Sequence, residues 1–180
     1  MIFIFALAVL EFILILSLKK ELSEMKKWQK IALTDDLTQI PNRAAYSLHT
    51  KKLIAMRDRD VSLILIDIND FKKYNDTMGH IEGDAVLKKC AEMLSEVFSD
   101  KAFKVFRIGG DEFAVIGHKV KEDFLIERMM ETRRREDEGE ISFCISKGYA
   151  MSDGKANFKT IFKRADEMLY ADKMFKYENK

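Results

Sequence analysis

The chain has 180 residues, 47% of them hydrophobic, enough to bury a sizeable core in one domain with an appendage. Its 31 Lys and Arg nearly balance 30 Asp and Glu, leaving a net charge of +1, so no global field marks nucleic acid as a partner. Cys90 and Cys144 are the only cysteines and neither belongs to a CxxC pair, which argues against zinc; both are expected as buried, reduced thiols of a cytosolic domain.

The first eighteen residues, MIFIFALAVLEFILILSL, are apolar except for Glu11 and Ser17. As a helix rising about 1.5 Å per residue they would extend roughly 27 Å, close to the hydrocarbon thickness of a bilayer. A secretory signal would carry its positive charge first and end in a small-residue cleavage site. Here Lys19, Lys20, Lys26 and Lys27 follow the run and no A-x-A site is evident. The expectation is a transmembrane anchor over 1–18, single-pass in the cell membrane, with everything after Lys19 cytoplasmic. Glu11 near its middle carries a penalty of about a few kcal/mol, met by snorkelling or by protonation against a partner helix. Residues 19–33 read as a helical stalk or linker. Leu18, Leu22, Met25, Gln29 and Ala32 are spaced 4-3-4-3, a heptad-like seam that suits either a short coiled coil or a lone amphipathic segment.

From Thr34 the pattern is globular. TDDLTQIPNR is rich in turn residues and holds the only proline, Pro41. A helix follows at about 42–57, with Ala45, His49, Leu53 and Met56 on one side. VSLILIDI, 61–68, is apolar on both faces until Asp67, the pattern of a central strand. Residues 81–98 form an amphipathic helix with Val86, Leu87, Cys90, Ala91, Leu94, Val97 and Phe98 inward. FKVFRI and EFAVIG flank a glycine pair, a hairpin signal. A polar helix at about 121–134 runs into RRREDEGE, a solvated loop. ISFCISKGYAM is a further strand. The last segment, NFKTIFKRADEMLYADKMFK, places Phe158, Ile161, Phe162, Ala165, Met168 and Leu169 on one helical stripe. The order implies an α/β (α+β) fold with a mostly antiparallel sheet flanked by helices.

Three carboxylates could share one rim of that sheet. Asp67 ends the first strand, and Asp111 and Glu112 sit at the tip of the hairpin. Such a cluster repels itself unless a cation neutralises it, and oxygen-only ligands favour Mg²⁺ or Mn²⁺. Gly109 and Gly110 would supply positive φ for a tight turn and let a phosphate approach the backbone. A plain glycine hairpin with its acids in water explains the same four residues. A second cluster, DINDFKKYNDTMGHIEGD over 67–84, adds Lys72 as a phosphate contact. Asn75 and Asp84 in it could read a purine edge, although Asp84 also suits a helix N-terminus. His80 is expected to be structural.

Taken together, LTDDLTQIPNR, DINDFKKYNDTMGHIEGD, RIGGDEF and RADEMLYADK resemble the GGDEF-domain diguanylate cyclases, over about residues 34–177. The resemblance implies a palm-like, nucleotide-cyclase-like sheet and a catalytic domain over 34–180. It implies a homodimer condensing two GTP into cyclic di-GMP and two pyrophosphates by two-metal catalysis. On it, Asp67 and Asp111 would hold two Mg²⁺ with the carbonyl of Ile68, and Glu112 would be a further ligand or activate the 3′-hydroxyl. Gly109 and Gly110 would lie against the phosphates, Lys72 and Lys173 would bind the β- and γ-phosphates, and Asn75 and Asp84 would recognise guanine.

The chain departs from its relatives in places. The inhibitory RxxD motif is Asp100 and Phe103 here, so that product site is expected to be absent. Gln39 replaces a usual glycine, with a structural effect expected. Asn69 replaces a second acid at the strand end. Tyr177 replaces a basic residue, which could weaken triphosphate binding. Lys147 replaces an apolar residue, with no catalytic consequence expected. The alternatives are a catalytically silent, membrane-anchored GTP-binding module and a cyclase that accepts adenine. Asp84 argues against adenine, and the intact GGDEF sequence argues for turnover.

Overall fold

The structure, a computed structural model, describes residues 1–56, 60–139, 141–152 and 157–178, without the side chains of residues 2–9. The chain divides into two compact units, Met1–Thr34 and Asp35–Lys180. The first is a single helix, α1 (Ile2–Ala32). Its described apolar side chains, Leu10, Phe12, Ile13, Leu14, Ile15, Leu16 and Leu18, are all exposed, as are Leu22, Met25, Gln29 and Ala32 of the heptad-like seam. Among the described residues no helix is long and apolar enough to cross a membrane. The anchor expected over 1–18 is therefore not found as a span. From residue 10 onward, any stretch of α1 long enough to span takes in Lys19, Lys20, Glu21 and Glu24. The part of the run that could compensate, residues 2–9, has no described side chains.

The second unit contains α2 (Arg43–Ala55), β1 (Val61–Ile68), α3 (Phe71–Met78), α4 (His80–Val97), β2 (Phe103–Arg107), β3 (Glu112–His118), α5 (Glu122–Asp137), β4 (Ile145–Met151) and α6 (Phe158–Glu178). The four strands form one sheet in the order β2-β3-β1-β4, and every neighbouring pair is antiparallel. This is an α+β fold with an antiparallel sheet flanked by helices. All eight residues of β1 are buried, because it lies inside the sheet with helices over both faces. Alternation then sorts its side chains. Ile64, Ile66 and Ile68 join the core built from α4, Leu125 of α5, and Val105 and Val115 of the hairpin strands. The opposite face meets α2 and α6. There Phe106 packs edge-on against Tyr46 of α2, with ring centroids 5.6 Å apart. Gly148 of β4 lies so close to α6 that a Cβ would come within 2.1 Å of the Ala165 carbonyl oxygen. Only glycine permits that approach, and it fixes α6 against the sheet.

Several sequence expectations need correction. α3 was not anticipated as a helix separate from α4. It is split off by Gly79, whose φ of 90° a side chain would strain. The RRRED part of the charge run is helical, within α5. Its arginines pair one turn away, Arg133 with Asp137 and Arg134 with Glu131, so the charges hold the helix rather than dissolve it. The last strand begins at Ile145, not Ile141. Cys144 therefore precedes it and is exposed, while Cys90 is buried as expected. Met56 is exposed, unlike Ala45 and Leu53 of the same side, and on α6 only Ile161 and Ala165 of the expected stripe are buried; Phe162 and Met168 are exposed. Lys147, for which no catalytic consequence is expected, has a structural role: it points at α5, where its ammonium donates to Thr132 Oγ1 at 2.6 Å and to the Met129 carbonyl at 3.3 Å.

Gln39 has φ of 60°, in the left-handed region where a glycine would sit without strain. Its side chain recovers part of that cost by donating to the Asp36 carbonyl at 2.7 Å, an exposed bond. Gln39→Gly is expected to stabilise the protein by about 1 kcal/mol, the order of the left-handed penalty. Thermal and denaturant unfolding of the two proteins measures this. A lower midpoint for the glycine variant would mean that the side-chain bond outweighs the strain.

Candidate active site

The β1–β3 ladder decides which acids meet. Its register pairs Asp67 with Glu112, and the amide of Ile68 donates to the Asp111 carbonyl at 3.3 Å. Asp67 is 8% exposed and follows Leu63 and Leu65 onto the α6 face. There Lys173 of α6 places its ammonium 2.8 Å from Asp67 Oδ2. Burial pushes the Asp67 carboxyl above its ordinary range. Lys173 pulls it back through a hydrogen bond and its charge, the Asp111 carboxylate pushes it up again, and the net shift is upward.

The hairpin loop is shaped by contacts rather than by glycine conformation. Neither Gly109 nor Gly110 has positive φ, contrary to the sequence expectation. Gly109 is crowded for a different reason: the Glu112 side chain folds back over it, and a Cβ there would fall 2.2 Å from Oε2 unless that side chain turned away. A Cβ at Gly110 would meet nothing within 4 Å, so that position is open. Arg107 braces the loop. Its guanidinium donates to the Gly110 carbonyl at 2.7 and 3.2 Å, and to Asp35 Oδ1 at 2.9 Å. Burial alone would raise Asp35, but hydrogen bonds from Thr38 and Arg107 outweigh it and hold the carboxyl below its usual value. Sequence reasoning missed this Asp35–Arg107 tie, although both residues lie in stretches it quoted.

The purine candidates sit on α3 and α4. The two helices approach so closely that a Cβ on Gly83 would lie 1.8 Å from Asn75 Oδ1. That oxygen is buried and has no hydrogen-bond partner among the described residues. A buried acceptor left unpaired costs free energy, and a donor on a ligand would recover it. Lys72 and Asp84 are exposed. Ile68 is buried, its amide spent on Asp111. Tyr177, in the usual basic position, donates instead to Asp70 at 3.1 Å. Phe103, in the place of the inhibitory acid, is buried in β2.

A cavity of about 360 Å³ opens beside this edge, lined by Asp67, Glu112, Asp166, Leu169, Tyr170 and Lys173 among others. Asp166 and Tyr170 had not been singled out; they belong to RADEMLYADK, whose lysine was. No group of three or more His, Cys, Asp or Glu is gathered to hold a metal among the described residues, so the three acids do not converge as expected. The reason is local, since Glu112 turns over Gly109 and Lys173 takes one oxygen of Asp67. The donors nevertheless suit a hard divalent cation: they are all oxygen, from carboxylates and the Ile68 carbonyl, and the position beside Asp67 is already filled by the Lys173 ammonium.

The family model described as "Diguanylate cyclase, GGDEF domain" matches residues 32–178. The chain belongs to this family. Among solved structures, the GGDEF domain of DgcB from Caulobacter crescentus in complex with c-di-GMP is 29% identical. It covers 79% of this chain and 91% of its own, at a TM-score of 0.70. The coiled coil and GGDEF domain of the same protein share the fold at a TM-score of 0.79 and 24% identity, over 88% of this chain and 89% of that one. An uncharacterized membrane protein of Staphylococcus aureus strain USA300 is 30% identical over an alignment of 152 positions that covers 77% of this chain and 42% of the relative. The chain thus spans about two fifths of the length of such curated relatives.

Within this GGDEF domain, Asp67 carries a testable cost. Its folded pKa is raised, so its contribution to stability is complete below the unfolded value and is lost as pH rises through the folded one. Asp67→Asn removes the charged form. The variant is expected to melt higher than the parent at neutral pH in metal-free buffer, with the gain shrinking towards acid. An unchanged or lower melting temperature at pH 7 would show that the Lys173 bond outweighs the burial cost.

Proposed function

We propose that the protein is a diguanylate cyclase, joining two GTP into cyclic di-GMP and releasing two pyrophosphates. The observation that supports this best is the pairing of buried Asp67 with Glu112 across the sheet, next to a cavity that Lys173 enters. Each 3′-hydroxyl oxygen bonds to the α-phosphorus of the opposite GTP. The bond from that phosphorus to the pyrophosphate oxygen breaks, and the hydroxyl proton is lost to a base, a role within reach of Glu112. Asp67, Asp111, the Ile68 carbonyl and Glu112 would hold Mg²⁺ or Mn²⁺, which sharpens the attacking oxygen and offsets charge on the leaving pyrophosphate. Lys173 then leaves Asp67 for the triphosphate, with Lys72 as a second phosphate contact. Gly110, whose side is open, and Gly109, with Glu112 turned off it, would lie against the phosphates. Asn75 gives its unpaired oxygen to a guanine donor, and Asp84 accepts from the N1–H and N2–H₂ edge. Little is asked of the chain beyond this positioning.

One observation favours a silent GTP-binding module instead: the Lys173 ammonium already occupies one oxygen of Asp67, at 2.8 Å. Incubation with GTP, then ATP, with Mg²⁺ and separation of the products decides. Cyclic di-GMP from GTP alone is expected, and Asp111→Ala is expected to abolish it while melting as the parent does. Mg²⁺ with GTP is expected to raise the melting temperature of the parent and not of that variant. Synthesis by Asp111→Ala would overturn the metal assignment.

In this reading residues 1–18 anchor the protein in the membrane, 19–33 form the stalk and 34–180 the catalytic domain. The exposed apolar side chains from Leu10 to Leu18 and the membrane label of the Staphylococcus relatives support the anchor. Two copies must face each other for the reaction, and confinement at a membrane raises their effective concentration. Residues 35–180 alone are expected to be less active than the membrane-bound full chain at low concentration. Equal activity would make the helix irrelevant to catalysis.

A further inference from the structure

The polar residues of the α5–β4 contact serve none of the roles above. Lys147 and Glu136 face each other there with side chains only 10% and 6% exposed, yet Glu136 Oε1 is 3.6 Å from the ammonium, beyond hydrogen-bond distance. The ammonium is committed to Thr132 and the Met129 carbonyl, and Glu136 Oε1 is left buried with no hydrogen-bond partner among the described residues. Burial raises the Glu136 carboxyl against the pull of Lys147, Lys176 and Arg133; burial also lowers the Lys147 ammonium, helped by Lys176 and Arg133 and opposed by Glu136 and Asp172. The Glu136 carboxyl, not the Lys147 ammonium, is left short of the hydrogen bonding it has lost.

Glu136 also lines a cavity of about 650 Å³ between α3 and the segment 141–144. That volume lies in the range of small-molecule sites. Tyr74, Met78, Ile141 and Phe143 supply apolar and aromatic wall, and Asp70 and Glu136 outnumber Lys73 among its charged groups. Lys73 and Thr77 lie across α3 from Asn75, which faces Gly83 of α4. One short helix therefore separates this cavity from the residues assigned to guanine.

We propose that this cavity binds a small organic monocation, an aromatic or aliphatic body with an ammonium or amidinium head, and that its occupancy is felt at the GTP site through α3. The body lies against Tyr74, Met78 and Phe143. The head offers Glu136 the donor that Lys147 withholds, a small turn of the carboxyl bringing its buried oxygen to the ligand. The coupling rests on the reading of Asn75 as a guanine contact; the cation site does not.

Cys144 reports on the site, because it lines the cavity and is exposed while Cys90 is buried. The full chain is treated with a maleimide and labelling of Cys144 is followed by peptide mass mapping, with 2-phenylethylamine as the probe and 2-phenylethanol as its uncharged counterpart. Saturable, several-fold slowing by the amine and not by the alcohol is expected, and its loss in Glu136→Gln. Thr77→Trp, which fills the cavity and leaves the Glu136–Lys147 pair intact, is expected to lose it too, should the first variant fold poorly. No slowing at millimolar amine, or equal slowing by the alcohol, would overturn the cation site. The amine is also expected to shift the affinity for a fluorescent GTP analogue several-fold, and an unchanged affinity beside clear protection would overturn the coupling. A chain that bound no GTP at all would remove the proposed function and leave the labelling result standing.

Discussion

The antiparallel pairing of β1 with β3, in the register that sets Asp67 against Glu112, is the constraint on which the candidate site depends. Side chains alternate along a strand, so a slip of one residue would turn Asp67 away from Lys173 and into the apolar layer beneath α4. The register is held by burial on both sides. Ile64, Ile66 and Ile68 belong to the layer under α4, and Leu63 and Leu65 lie buried on the other face. No single contact fixes the acid's place; the strand's whole apolar content does.

Charge at the edge of the sheet is managed in two ways. Asp35 is overcompensated, since Thr38 and Arg107 give its carboxylate more hydrogen bonds than burial removes. It serves as a fixed point that ties the hairpin loop to the turn before α2. Asp67 is undercompensated, with one lysine against burial and a neighbouring acid. An acid left short of positive charge is suited to exchanging partners, as a ligand for a mobile cation or phosphate-bound metal must. The same contrast separates Gly109, filled by a folded-back side chain, from Gly110, which faces open space.

The far side of the domain shows why α3 matters. It is short, begins after Asp70 in a left-handed conformation and ends at Gly79 in another. Between those two bends it presents Asn75 to α4 and Lys73 and Thr77 to the cavity under Glu136. It packs mainly on α4, with Phe71 and Tyr74 against the core, whereas α6 lies directly on the sheet, because Gly148 brings its backbone onto β4.

Much of this was legible in the residues. The eight residues of β1, the inward face of α4, the β2–β3 hairpin and the antiparallel sheet follow from periodicity, and the family follows from four motifs in order. Local pattern could not set the boundary between α3 and α4, the helical state of RRRED or the exposure of Cys144. The first is set by the Gly79 backbone angle, the second by ion pairs one turn along the helix, and Cys144 is left outside the strand because β4 begins at Ile145. Nor could local pattern show that Glu112 lies over Gly109, that Lys173 reaches Asp67, or that Lys147 and Glu136 face each other at 3.6 Å, outside hydrogen-bond distance. The sequence determined which acids and bases the protein carries and which strands could bury them. Only the packing of helices across the sheet decided which of those charges meet, because desolvation and hydrogen bonding depend on neighbours that chain order does not reveal.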